Sequence, residues 1–219
     1  MTRNKRNRWI EIHQLLHGLK LLSETQIIHG DIKPENILFK TDPKSGLPVT
    51  VIADLGGAKL FDENEAKRLL GNKSFESPSF THKYVTMEDF LNEGEIIDEI
   101  DDLKSQGIYS EKAIKKLKNL FEKRDVFAMG CVLFRAFNFE HPFKVEREGD
   151  MKGLLSPLMQ LKKMNANVPP EMKKLMEDML DNDYEKRPTA EQAFNRFNSF
   201  LKKHDPELHG EILKQMKEY

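Results

Sequence analysis

Residues 28–38 read Ile-His-Gly-Asp-Ile-Lys-Pro-Glu-Asn-Ile-Leu, a run of polar side chains between two short β-prone ends. Within this run Asn36 follows Asp31 by five residues. A further β-prone run covers residues 49–53, after the turn-rich segment 42–46. The pattern predicts two short hairpins with a polar loop between them.

The rest of the chain shows the apolar spacing of helices. Apolar residues recur every three or four positions over residues 9–22 and again over residues 170–180, which predicts amphipathic helices. Residues 125–137 are apolar on all sides and predict a buried central helix. Thr189 and Gln192 have the spacing of a capping box, so a helix is expected to begin there. The predicted fold is mainly α, of the α+β type, with a few short strands.

Two segments are strongly charged. Residues 88–102 carry eight acidic side chains and no basic one, whereas residues 104–124 carry seven basic and two acidic ones. We expect a solvated helical insertion over about residues 80–124, and a docking site for a partner is the alternative. The basic residues 3–8 are expected to form a frayed, solvated terminus, and contact with a membrane or an acidic protein is the alternative.

The composition narrows the class of protein. Lys and Arg total 35 against 36 Asp and Glu, a net charge of −1 that argues against a general nucleic-acid binder. Cys131 is the only cysteine, which excludes an internal disulfide and a cysteine-based metal cluster. The start lacks the apolar run of a secretory signal, and the most apolar stretch, residues 126–137, is too short to span a bilayer. We expect an intracellular, cytoplasmic protein with no membrane or nucleic-acid partner.

Five short motifs follow one another along the chain. They are residues 28–38, 51–56 (Val-Ile-Ala-Asp-Leu-Gly), 71–79, 125–130 and 187–189. In this order they resemble the catalytic loop, the Asp-x-Gly turn, the end of the activation segment, the central helix and the late arginine of the protein kinase superfamily, Ser/Thr type. The resemblance covers nearly the whole chain. It implies a protein-kinase-like C-terminal lobe, ATP and Mg²⁺ as cofactors, and a protein substrate.

The resemblance assigns catalytic and binding roles to five side chains. Asp31 would orient the substrate hydroxyl and accept its proton, and Lys33 would lie beside the γ-phosphate of ATP. Asn36 and Asp54 would hold Mg²⁺, which prefers oxygen ligands. Leu38 would lie under the adenine ring. A lysine two residues after the aspartate is typical of the Ser/Thr kinases.

The resemblance assigns structural roles to four further side chains, one of which is Arg187, the late arginine that normally pairs with a glutamate. His29 and Leu55, which stands where the family has phenylalanine, would stack in the hydrophobic spine that joins the two lobes. Asp125 would bond to the backbone around His29 and hold the catalytic loop in shape.

Two departures from the family change the expected regulation and packing. Gly30 replaces the arginine that in many kinases pairs with a phosphorylated loop, so we expect a non-RD kinase without an acceptor for that switch. Ser79 replaces the glutamate that normally pairs with the late arginine, here Arg187. Glu76 is the expected substitute partner.

The N-terminal lobe of the family has no counterpart in these residues. Only 28 residues precede His29, and they contain no Gly-rich loop, no Val-Ala-Ile-Lys strand and no helix glutamate to pair with that lysine. We expect residues 1–219 to form a truncated C-terminal lobe with Leu38 and Leu55 on an open apolar face. An N-terminal lobe or a partner protein would cover this face, and the chain alone would bind ATP weakly.

Three interpretations of the resemblance are open. The chain is a truncated Ser/Thr protein kinase, a pseudokinase that scaffolds a partner through its open face, or a small-molecule phosphotransferase similar to aminoglycoside and choline kinases. Retention of all four catalytic and metal-binding residues favours an enzyme over a pseudokinase. The tripeptide at residues 33–35 and the motif at residues 187–189 favour a protein kinase over a small-molecule kinase.

Overall fold

The computed structural model describes residues 3–62, 87–106, 111–140, 142 and 164–216, and helices form most of these residues. The helices are α1 (Arg3–Glu24), α2 (Met87–Ser105), α3 (Glu111–Asn138), α4 (Pro170–Met179), α5 (Ala190–His204) and α6 (Pro206–Met216). The strands are β1 (Ile27–Ile28), β2 (Ile37–Thr41), β3 (Pro48–Ile52) and β4 (Lys59–Leu60). The prediction of a mainly helical fold with a few short strands is confirmed.

The four strands form two antiparallel pairs. β2 and β3 form a hairpin in which Ile37 lies opposite Ile52, and β1 pairs with β4 so that Ile28 lies opposite Lys59. β4 is two residues long, too short to show a periodic pattern, and sequence reasoning missed it. Because β1 ends and β2 begins on either side of residues 29–36, both ends of this polar loop are anchored by strand pairing.

The main hydrophobic core surrounds α3. Every residue from 126 to 134 is buried, and α3 packs against α1, α4 and α5. Trp9 of α1 closes one end of this core, with ring centroids 5.6 Å from Phe137 and 5.3 Å from Phe200. The predicted buried helix is therefore present. It begins at Glu111 rather than near residue 125, because its earlier residues carry an apolar stripe of their own.

Gly130 in α3 is where α3 lies close to the end of α4. A Cβ at this position would lie 3.1 Å from Leu180 Cδ2 and 3.1 Å from Met179 Cβ. We expect Gly130→Ala to overpack the core and to lower the free energy of unfolding by about 1–3 kcal/mol. Urea denaturation measures the change.

Gly210 of α6 provides the matched control, since a Cβ there meets no heavy atom within 4 Å. Gly210→Ala is expected to raise stability by about 0.5–1 kcal/mol, because a helix interior disfavours glycine. Shifts of the same sign in both variants would contradict the packing argument for Gly130.

The start of α1 differs from the prediction of a frayed terminus. α1 begins at Arg3, and Arg6 forms an ion pair with Glu211 of α6. The guanidinium of Arg8 lies 5.3 Å from the ring centroid of Phe137. The prediction was wrong because these basic residues have partners far away in the sequence.

A second hydrophobic cluster joins α2 and α3 to β1. Its buried members are Ile28, Phe61, Ile96, Leu117, Leu120, Phe121 and Tyr184. Glu93 Oε2 of α2 lies 2.7 Å from Arg124 Nη1 of α3, and both side chains are buried. The two helices of the expected solvated pair are present, and one face of the pair is buried, whereas exposed residues such as Glu95, Asp98 and Lys115 keep the other face solvated.

His13 is enclosed between α1 and α5. It is fully buried, and neither ring nitrogen has a hydrogen-bond partner among the described residues. Its ring centroid lies 5.1 Å from that of Phe194 and 6.5 Å from that of His17. His209 of α6, whose Nε2 lies 2.8 Å from Asn198 Oδ1, is a further titratable group nearby. Burial lowers the pKa of His13 to about 4.

The lowered pKa of His13 predicts that the folded protein becomes less stable in acid. Because the unfolded chain binds the proton more tightly, the contribution of His13 to stability is fully present above about pH 6.5 and is lost as the pH falls toward 4. From pH 7.5 to pH 5 we expect wild type to lose about 2 kcal/mol relative to His13→Leu. Burial raises the pKa of Asp125, so the contribution of Asp125 to stability increases as the pH falls. This contribution is the same in wild type and in His13→Leu, and it cancels when the two proteins are compared. Urea denaturation at both pH values measures this difference, and a pH-independent difference would contradict the prediction.

Candidate active site

The polar loop of residues 29–36 has a defined backbone path. Gly30 has a φ of 79°, in the left-handed region that strains side-chain-bearing residues. The chain then enters a 3₁₀ turn at Pro34–Asn36, in which the Asn36 N–H donates to the Lys33 carbonyl at 3.0 Å. This path brings the polar side chains of the loop together.

Asp31, Lys33 and Asn36 form one hydrogen-bonded group. Lys33 Nζ lies 2.5 Å from Asp31 Oδ2. Asn36 Nδ2 donates to the same oxygen at 3.2 Å and to the Asp31 carbonyl at 2.8 Å. The side chains of Lys33 and Asp31 are 25% and 21% exposed, so the group is accessible from solvent. An ammonium and an amide thus fix the orientation of the carboxylate.

His29 links this group to the end of β3. Its ring is fully buried, with Nε2 3.0 Å from the Ala53 carbonyl. Nδ1 accepts the Asp31 N–H at 3.3 Å. The two contacts together require the ring proton on Nε2. The backbone at Asp31 is therefore tied to the residue that precedes Asp54.

Asp125 of α3 holds the same loop from the core side. Its Oδ2 accepts the His29 N–H at 2.7 Å, and its Oδ1 accepts the Gly30 N–H at 2.9 Å. Burial raises the pKa of Asp125 to about 7, and the two N–H donors oppose this shift. The central helix and the polar loop are joined by these two bonds.

Asp54 lies just after the end of β3. The Ala53 N–H donates to the Asn36 carbonyl at 2.8 Å, so the chain pairing places Asn36 opposite Ala53, the residue before Asp54. Asp54 has a φ of 65° and a ψ of 68°, a strained conformation, and its Oδ1 accepts the Gly56 N–H at 3.4 Å.

Asn36 and Asp54 fit a magnesium ion that is also bound by a nucleotide. Mg²⁺ is usually held by one or two carboxylates, with phosphate oxygens and water completing its shell. Within the described ranges, no three or more His, Cys, Asp or Glu side chains come together as a metal site. The remaining ligands would therefore come from phosphates and water.

An exposed apolar face adjoins this group. The exposed fractions are 55% for Leu38, 63% for Phe39, 47% for Val51 and 54% for Leu55. Leu55 is therefore not enclosed in a spine with the buried His29, and the stacking that the resemblance implies would need a further element above the face.

Arg187 is the largest fully buried side chain among the described residues, at 1% exposure. Its guanidinium donates to the carbonyls of Asp181 (2.7 Å), Asn182 (3.1 Å) and Lys123 (3.1 Å). Backbone acceptors of this kind leave no signal in the sequence. They nevertheless place the arginine at the junction of α3 with the turn that precedes α5.

Residues 63–86 lie outside the described residues. The predictions for Glu76, Ser79 and the motif at residues 71–79 fall there, so the pairing of Glu76 with Arg187 stays a prediction.

Sequence reasoning missed two buried cations of α3. Lys123 donates to the carbonyl of Arg187, and Arg124 pairs with Glu93. Both stand in a charge run that predicted a solvated surface. The apolar stripe that begins at Leu117 was the signal that this stretch has a buried face.

A family model of the protein kinase domain matches residues 4–197. The match covers most of the chain, and the chain belongs to the protein kinase family. The motif order, the mainly helical fold and this match agree.

Several curated relatives are serine/threonine-protein kinases. The chain is 29% identical over 182 residues to mouse "Serine/threonine-protein kinase PINK1, mitochondrial". It is 26% identical over 184 residues to atg1 and 26% identical over 187 residues to irlB, both serine/threonine-protein kinases of Dictyostelium discoideum, the second named as probable. Each alignment covers 83% of this chain but only 28%, 22% and 11% of these relatives. The chain therefore spans less than a third of their length.

Proposed function

We propose that this chain is the catalytic lobe of a serine/threonine protein kinase, which transfers the γ-phosphate of ATP to a hydroxyl group of a protein substrate. The observation that carries the proposal is the bonded group of Asp31, Lys33 and Asn36, with Asp54 one residue after Ala53, which bonds to the backbone of Asn36. All four residues match family positions for catalysis and Mg²⁺. The names of the relatives support the Ser/Thr class.

Each residue of this group has a distinct task in the proposed reaction. Asp31 orients the acceptor hydroxyl and takes its proton. Lys33 brings a positive charge to the place where negative charge develops on the transferred group. Asn36 and Asp54 hold Mg²⁺, which when bound neutralises charge on the phosphates. Because positioning and charge account for most of the catalysis in phosphoryl transfer, the main contribution of this chain is a rigid loop.

The proposed ATP cleft needs a second lobe. Leu38, placed under the adenine, is 55% exposed, and these residues contain no Gly-rich loop. We expect the 219-residue chain by itself to bind Mg·ATP weakly and to transfer little or no phosphate. An N-terminal lobe or a partner protein that covers the exposed apolar face would raise both the affinity for Mg·ATP and the rate of phosphate transfer.

A comparison of the isolated chain with the native protein from its source cells tests this requirement. Intact mass shows whether the native protein is heavier than 25.5 kDa. Calorimetric titration with Mg·ATP and a transfer assay then compare the two. Robust transfer by the isolated chain, abolished by Asp31→Asn, would refute the need for a second lobe and support the kinase proposal.

The exposed face also supports a second candidate function, a pseudokinase that binds a partner through Leu38 and Leu55. This candidate predicts that Asp31→Asn leaves partner binding unchanged. It also predicts that the native protein transfers no phosphate. A small-molecule phosphotransferase is the third candidate. A screen of protein, aminoglycoside and choline acceptors separates it from a protein kinase.

The organisation and location of the chain are part of the proposal. Residues 1–219 would form one kinase-like lobe with an insertion at about residues 80–124 that contains α2. Gly30 would make it a non-RD kinase. A cytoplasmic location is supported by the single cysteine, Cys131, which is buried. Among the described residues, no helix has the length and apolar character needed to cross a membrane.

A further inference from the structure

We propose that α2 is a positioning element for the catalytic loop, and that it acts through the buried ion pair between Glu93 and Arg124. The consequence for phosphoryl transfer rests on the proposed function, since the loop in question carries Asp31. The coupling between α2 and the loop does not depend on the proposed function, because it rests only on contacts within the structure.

Three consecutive residues of α3 bind three different parts of the molecule. Lys123 donates to the carbonyl of Arg187, and Arg124 pairs with Glu93 of α2. Asp125 accepts the two N–H groups of the catalytic loop. Successive residues of an α-helix point about 100° apart, so a single turn of α3 meets all three neighbours. A rotation or shift of this turn at one contact therefore moves the other two.

A second route connects α2 to the loop through apolar packing. Ile96 of α2 joins Leu117 and Phe121 of α3 in the second hydrophobic cluster. The same cluster contains Ile28, the residue that precedes His29. α2 thus packs on the helix that holds the loop, in a cluster that also contains the strand entering the loop.

The ion pair leaves little freedom for α2. The side chains of Arg124 and Glu93 are only 5% and 9% exposed. Removing the Glu93 carboxylate takes a buried counter-charge away from Arg124, which weakens the docking of α2 on α3. The two bonds from Asp125, at 2.7 and 2.9 Å, are close to optimal length and weaken with any displacement of the helix turn.

Amide hydrogen exchange of the native protein tests the proposal directly. In Glu93→Ala we expect the His29 and Gly30 amides to exchange about 10-fold or more faster than in wild type, while α5 amides change far less. Asp205→Ala is the matched control, since it removes the carboxylate that accepts the Leu208 N–H at 3.0 Å at the start of α6 and lowers stability away from the pair. In this control the His29 and Gly30 amides should change no more than the rest of the core.

A double variant provides the rescue. Glu93→Leu with Arg124→Met removes both charges and keeps the side-chain volume, so α2 should stay docked and the protection of His29 and Gly30 should return toward wild type. If Glu93→Ala does not fold, Ile96→Ala loosens the same contact without leaving a charge, and it should also raise exchange at the two loop amides.

Two results would overturn the proposal. In the first, exchange at His29 and Gly30 changes only in proportion to global stability. In the second, the double variant does not restore the protection of these two amides. The readout needs neither ATP nor transfer. A protein that shows the expected exchange pattern but transfers no phosphate would therefore refute the proposed function and leave the coupling of α2 to the loop in place.

Discussion

Arg187→Ala is expected to lower the free energy of unfolding by about 3–5 kcal/mol. The side chain is 1% exposed and donates to the carbonyls of Asp181, Asn182 and Lys123. Its guanidinium also lies 4.7 Å from the ring centroid of Phe127. Truncation leaves these carbonyls without their donor and opens a cavity against α3.

Urea denaturation of wild type and variant measures this loss, and Arg196→Ala is the control. Arg196 pairs with Asp178 at 2.9 Å, but its side chain is 39% exposed, so its removal should cost less than about 1 kcal/mol. If Arg187→Ala does not fold, Arg187→Lys can be measured instead. It keeps the charge but lacks the planar guanidinium with its several N–H donors, and it should lower the free energy of unfolding by a smaller but clear amount. Equal losses in the Arg187 and Arg196 variants would contradict the account of this arginine.

Asp31→Asn is expected to reduce phosphoryl transfer by the native protein by about 100-fold or more. Asparagine has nearly the same shape but cannot take a proton from the acceptor hydroxyl. It also removes the negative charge 2.5 Å from Lys33 Nζ, so the lysine loses the partner that orients it. The side chain is partly exposed, and the melting temperature should change little.

Glu177→Gln is the matched control for this prediction, because Glu177 is an exposed residue of α4 and α4 has no part in the proposed positioning of the loop. Transfer rates measured at saturating Mg·ATP should be unchanged in the control. Equal rates for Asp31→Asn and wild type would show that Asp31 is not the catalytic base.

Local patterns predicted much of the fold. The helical spacing over residues 9–22 and 170–180 and the capping box at Thr189 correspond to α1, α4 and α5. The start of α1 was missed because Arg6 and Arg8 find Glu211 and Phe137 only in the folded chain. A frayed terminus and a docked one have the same local sequence.

The candidate site likewise contains features that the local sequence predicts and features that depend on tertiary packing. The resemblance of residues 28–38 to a kinase catalytic loop predicted that Asp31 and Asn36 act together, and short-range geometry is what brings them together. The buried partners of Arg124 and Arg187 could not be predicted, since they depend on how α2 and the turn before α5 pack on α3. Charge in a sequence indicates solvent exposure unless tertiary contacts enclose it.

The most direct test of the central claim is transfer of ³²P from labelled ATP by the native protein, with and without Mg²⁺, to protein, aminoglycoside and choline acceptors. We predict Mg²⁺-dependent label on serine or threonine of protein acceptors. Label on the small-molecule acceptors, or a native protein that transfers none at all, would contradict the proposal that this chain is the catalytic lobe of a protein kinase.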